Sequence, residues 1–147
     1  SQLPTPTPNS ELTMGDRCYM QVTCRRQDQS RFEALGFHLE FEQTPDSPVI
    51  ELIDEEANYA HADHLPTDIP FTAWHGAGGD YGDGKIACDG NHYAEVSANH
   101  DGFVVRWDAA SNQPVQESLD GIRDYLAVHQ TVQEMFQILS ARPTCHA

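Results

Sequence analysis

Apolar and polar side chains alternate from Arg17 to Cys24. Cys18, Met20, Val22 and Cys24 fall on one side and Tyr19, Gln21 and Thr23 on the other, which is the period of a half-buried strand. Asp28 then offers an N-cap to a short helix through Phe32 and Leu35, stopped by Gly36. A second strand is predicted at once, with Phe37, Leu39 and Phe41 on one face and His38, Glu40 and Glu42 on the other. Pro45 to Pro48 turn the chain into a third strand, Val49 to Ile53. From Asp54 to Gly84 there is no clear period, two prolines (Pro66, Pro70) interrupt, and the segment ends in the run Gly76-Ala77-Gly78-Gly79-Asp80-Tyr81-Gly82-Asp83-Gly84. It reads as a long loop, and loops of that length inside a domain are often functional or mobile.

Three more strands are predicted after the glycine run, Lys85 to Cys88, His92 to Ala98 and Phe103 to Asp108, joined by Asp89-Gly90 and Asp101-Gly102 hairpin turns. Pro114 suits a first helical turn. From there to Leu139 a stripe of Leu119, Ile122, Leu126, Val132, Met135, Phe136 and Leu139 recurs at helical spacing. The elements sum to an α+β fold: a mainly antiparallel five- to six-stranded sheet, a short helix after strand 1, and a long C-terminal helix packed on one face.

The length of 147 residues suits one domain, and 39% of them are apolar, enough for a core without disulfide or metal. That domain is read as residues 14–147. Residues 1–13, in which Pro4, Pro6 and Pro8 alternate with Thr, read as an extended leader or an expression remnant, with Met14 as the native start. No window approaches 18 consecutive apolar residues and no secretory pattern opens the chain, so the expectation is a cytoplasmic protein with no membrane partner. Cys18 and Cys24 share a strand face about 20 Å apart, beyond disulfide reach. Together with Cys88 and Cys145 they are expected to be reduced thiols.

Charge changes the picture most. The 53 residues from Phe32 to Gly84 contain no Lys or Arg and carry 12 of the 23 acidic side chains, in a chain of net charge −15. A field of that sign reaches about 8–10 Å at ordinary salt; it attracts basic surfaces and repels nucleic acid and anionic lipid.

Motifs for chemistry fall short. Gly79 to Lys85 spells G-x-x-x-x-G-K, but Ile86 replaces the magnesium-holding Ser or Thr and a strand follows where a phosphate loop needs a helix. His61, Asp63, His64 and His75 have donor chemistry for a metal without a recognised ligand spacing, so no metal and no cofactor are expected. A Cys88–His92 pair across the hairpin would need an exposed thiol of lowered pKa.

The functional expectation is therefore a non-enzymatic acidic binding protein with a basic protein partner, itself a nucleic-acid-binding protein in the most specific form, and with no direct contact to nucleic acid. The proposed contacts are Glu40, Glu42, Glu51, Asp54, Glu55 and Glu56, with Trp74 and Tyr81 as aromatic anchors. An inhibitor or nucleic-acid mimic engaging a basic groove has this character, as in antirestriction, anti-CRISPR and immunity proteins, which the chain resembles in charge and size only. The alternative is a small metal-dependent or hydrolytic enzyme using the loop from His61 to Asp83, with His61, Asp63, His64 and His75 as its ligands.

Overall fold

The computed structural model describes residues 17–40, 46–79 and 81–141. Strand β1 (Arg17–Arg25) leads through a 3-10 turn (Arg26–Asp28) into helix α1 (Gln29–Glu33), followed by β2 (His38–Leu39), β3 (Val49–Asn58) and a second 3-10 turn (Tyr59–His61). Then come β4 (Pro70–His75), β5 (Gly84–Asp89), β6 (Tyr93–Asn99) and β7 (Gly102–Phe103). A small ribbon of β8 (Trp107–Asp108) and β9 (Gln113–Pro114) precedes the long helix α2 (Gln116–Ala141). The large sheet is antiparallel throughout, in the order β2-β3-β1-β4-β5-β6-β7.

The α+β architecture expected from the sequence is present, with seven strands in the sheet. Alternation in β1 holds as read: Cys18, Met20, Val22 and Cys24 are buried while Tyr19, Gln21 and Thr23 lie half-buried on the opposite face. The buried side joins Ile50 and Leu52 of β3, Phe71 of β4 and Ile86 and Cys88 of β5, closed over by Phe32 from α1 and by Phe37, Leu65 and Ile69. A second cluster lies on the other face, where Tyr125, Val128, Val132 and Phe136 of α2 pack on Ala87 and Ala94. The helix lies mainly over β5 and β6.

Several local expectations are corrected. The segment 54–84 is not one loop: β3 continues to Asn58, and Pro70–His75 forms a central strand between β1 and β5. Its inward set is Phe71, Ala73 and His75, too small and too polar to register as an apolar period, and Pro70 stands at the first position, where a missing N–H is tolerated. Asp28 makes no capping hydrogen bond; it is buried and accepts from Arg25 Nε at 2.7 Å. The second strand shrinks to His38–Leu39, with Phe37 drawn into the core, and Phe41 and Glu42 lie outside the described residues.

Of the segment Phe103 to Asp108, only Phe103 extends the sheet; Trp107 and Asp108 pair instead with Gln113 and Pro114. The stripe of α2 is rotated from the one expected. Tyr125 and Val128 are buried, whereas Leu126 and Met135 are exposed.

Candidate functional site

Because α2 sits mainly over β5 and β6, among the described residues no helix covers most of the same sheet face above β1, β3 and the end of β4, where Gln21, Thr23 and Thr72 are half-buried and Ile53 is buried. Across it run the register rows His38, Ile53, Gln21, Trp74, Lys85 and, one residue pair along, Glu51, Thr23, Thr72. The alternation that buries Phe71, Ala73 and His75 forces Trp74 outward, where it is 42% exposed. Its indole meets the ring of Tyr19 at 5.4 Å between centroids with a 33° tilt.

A bulge shapes this patch. Between the pairs Cys18–Ala57 and Met20–Asp54, β1 advances two residues while β3 advances three. Glu55 and Glu56 both stand opposite Tyr19 and both are exposed, whereas Asp54 and Ala57 both face the core side. Burial pushes the Tyr19 phenol above its ordinary pKa, and the charges of Glu40, Glu55 and Glu51 push it further in the same direction. The charges of three carboxylates thus reach the Tyr19 phenol.

The proposed contacts divide accordingly. Glu40, Glu51 and Glu55 act electrostatically on Tyr19, and Glu55 also holds His38 at 3.1 Å, raising that imidazole's pKa through the hydrogen bond. Glu56 is turned to Arg17 at 3.6 Å. Asp54 does not face outward; its Oδ2 lies 2.7 Å from His61 Nε2 at the rim of the core. Trp74 and Tyr81 are not brought together: Tyr81 packs on His75 (5.6 Å) and Tyr59 (6.1 Å) on the opposite side of the sheet. Glu42 lies outside the described residues.

The four metal-ligand candidates are likewise separated. His61 is bound to Asp54 and stacked on Phe37, and His75 lies 2.9 Å from the Gly76 carbonyl, while Asp63 and His64 are exposed. Among the described residues no three His, Cys, Asp or Glu converge as a metal would require. Cys88 is a core residue whose thiol is pushed up in pKa by burial, and Cys24 is pushed up to about 12 by the same cause. Neither thiol has thiolate character for nucleophilic attack.

Sequence reasoning missed three groups at this face. Lys85, directly across from Trp74, carries its Nζ 5.8 Å from the Phe103 ring centroid. His129 of α2 leans over the same place, its pKa lowered by burial and then by Lys85. Tyr125 lies beside it, stacked on His129 at 5.5 Å. With Trp74 assigned to a loop, nothing in the sequence placed it beside Lys85 or beneath the helix. Two depressions meet at the Trp74–Lys85 pair, one of about 260 Å³ toward Asp83, Asn99 and His100, the other of about 150 Å³ toward Thr23, Thr72 and His129. Compared with known families, with curated proteins and with solved structures, the chain has no match in any of the three.

Proposed function

We propose that this protein is a non-enzymatic binding protein that engages a basic protein segment through the open sheet face. The observation that carries the reading is the exposed Trp74 packed on Tyr19, on a face where the charges of Glu40, Glu55 and Glu51 act on the Tyr19 phenol. An arginine or lysine side chain laid on such a pair gains a cation–π contact of about 0.5–2 kcal/mol and meets carboxylates at its charged end. The surrounding charge of −15 raises the encounter rate with a basic partner and fixes its orientation.

An inhibitor or nucleic-acid mimic seated in the basic groove of a nucleic-acid-binding protein is the more specific form of this function. It draws on the same surface, but its acidic tract is narrower than the sequence suggested, since Asp54 turns inward and Glu56 is engaged by Arg17.

The test compares variants of equal charge as well as altered charge. An arginine-rich peptide is titrated by fluorescence anisotropy against the wild type, Trp74→Ala, the triple reversal of Glu40, Glu51 and Glu55 to Lys, and a remote reversal of Asp120 and Asp124 on α2. Trp74→Ala should weaken binding by about 2- to 30-fold, and the triple reversal should abolish it. If the remote reversal weakens binding as much as the triple one and Trp74→Ala has no effect, the acidity is a general solvating charge and the face is no recognition site.

A further inference from the structure

We propose that the groove formed where Trp74 and Lys85 meet is a binding site for a small organic anion with a planar apolar body, of the class of aromatic or heteroaromatic carboxylates.

Lys85 is the only lysine in the chain. It stands on the open sheet face, exposed, and among the described residues no carboxylate lies within ion-pair distance of it. Its contact is the Phe103 ring, which holds an ammonium in place without neutralising it. In a protein of net charge −15, an ammonium with no counter-charge among the described residues, set beside a concavity, is a recognition element for an anion.

The surroundings fit the same ligand. The smaller depression is walled by Gln21, Thr23, Thr72, Tyr125 and His129 with Lys85, so its side chains supply hydroxyl, amide, imidazole and ammonium groups and no carboxylate. His129 is held toward its neutral form by burial and by Lys85, which leaves it one ring N–H to donate. The larger depression runs along the Trp74 indole, the direct cross-strand neighbour of Lys85, and this flat apolar wall suits a ring. Its volume of about 260 Å³ lies below the usual 300–1,000 Å³ of drug-sized sites and admits a one- or two-ring compound. The carboxylate would sit at Lys85 on the Thr23–Thr72 side and the ring against Trp74. Asp83 also lines the larger depression, and its carboxylate disfavours the anionic end there, directing it to the smaller depression, which has no carboxylate.

This site differs from the partner-binding face in needing a cation where that face needs carboxylates, so the two readings can fail separately. The single lysine provides the assay. Acetylation of the intact protein by a water-soluble amine reagent is followed by peptide mass spectrometry, with the α-amino group as internal control, in the presence of indole-3-carboxylate or its neutral isostere indole-3-carboxamide. The carboxylate should slow Lys85 acetylation at least threefold, saturably, with a Kd on the order of 1 mM or tighter as expected for so small a ligand. It should leave the α-amino rate unchanged, and the carboxamide should give no protection.

Ligand-observed saturation-transfer NMR should show the indole-3-carboxylate signal lost in Lys85→Met and in Trp74→Ala. It should be retained in the Glu40, Glu51, Glu55 triple reversal. Absence of saturable protection, equal protection by the carboxamide, or undiminished binding to Lys85→Met overturns the proposal. Protection by inorganic phosphate equal to that by the carboxylate overturns the assignment of a planar body.

Discussion

The turn after β3 places three consecutive non-glycine residues in the left-handed region, Tyr59 (φ 52°), Ala60 (φ 53°) and His61 (φ 55°). For an L-residue this conformation costs about 1–2 kcal/mol, because Cβ crowds the following carbonyl oxygen. Ala60 is the cleanest place to measure it, since its side chain is one methyl, 5% exposed. In Ala60→Gly, relief of about 1–2 kcal/mol opposes the lost burial of a methyl, about 0.8 kcal/mol, and the extra chain entropy of glycine, about 0.5–1 kcal/mol. The net change should lie within about 1 kcal/mol of zero.

Ala57→Gly provides the reference, three residues earlier in β3. That methyl is fully buried as well and its backbone is strand without a positive φ, so both losses apply without relief, for about 1.3–1.8 kcal/mol of destabilisation. Urea unfolding followed by far-UV circular dichroism, with unchanged m-values, gives both numbers. Ala60→Gly as costly as Ala57→Gly would refute the strained turn. If the two differ by the expected 1–2 kcal/mol, the strain is stored against the His61–Asp54 hydrogen bond of 2.7 Å and the packing of His61 on Phe37.

Three further outcomes follow from the geometry. A methyl at Gly84 would lie 2.6 Å from His75 Nε2 and 3.3 Å from the Val96 carbonyl, so Gly84→Ala should lose about 1–3 kcal/mol, read as a lowered urea midpoint; a midpoint unchanged would mean that His75 is free to move. His129 has a folded pKa below its ordinary value, so its contribution to stability is present above pH ~6.5 and is lost as pH falls through the folded pKa. The melting-temperature gap between wild type and His129→Gln should shrink between pH 7.5 and 5.5, and a constant gap would refute the burial of that ring. His38, raised by Glu55, has the opposite sign, with its contribution fading as pH rises; it is common to both proteins and cancels. Finally, since His61 and His75 are engaged elsewhere, elemental analysis after dialysis should find no stoichiometric zinc, and a ratio near one that is lost in His64→Ala would support the metal-dependent alternative.

Where a strand buries one apolar face with large side chains, as β1 does, its period was legible at once. The Asp-Gly turns were legible too. Gly90 and Gly102 adopt φ of 100° and 149°, and Asp89 Oδ1 and Asn99 Oδ1 accept the backbone N–H groups of the turns. The central strand β4 was not, because an inward set of Phe, Ala and His reads as loop when its neighbours are proline and glycine runs. That error hid the open face, since Trp74 becomes a partner of Tyr19 and Lys85 only once β4 lies between β1 and β5. The bulge opposite Tyr19 was equally hidden, and with it the inward turn of Asp54, because a one-residue excess is set by pairing and leaves no mark in composition.

The placement of β1 has a consequence for synthesis. Among the described residues it is the first strand of the sheet in chain order yet lies between β3 and β4, so on the ribosome it cannot complete its hydrogen bonding until residue 75 has emerged. At the usual ~5–20 residues per second, a segment presenting Met20, Val22 and Cys24 waits for several seconds with at least one edge unpaired. Arg17 at one end and Arg25 and Arg26 at the other act as gatekeepers against self-association during that interval. More than a third of the chain's cations, three of eight, are thus concentrated around the strand that needs them before the fold exists.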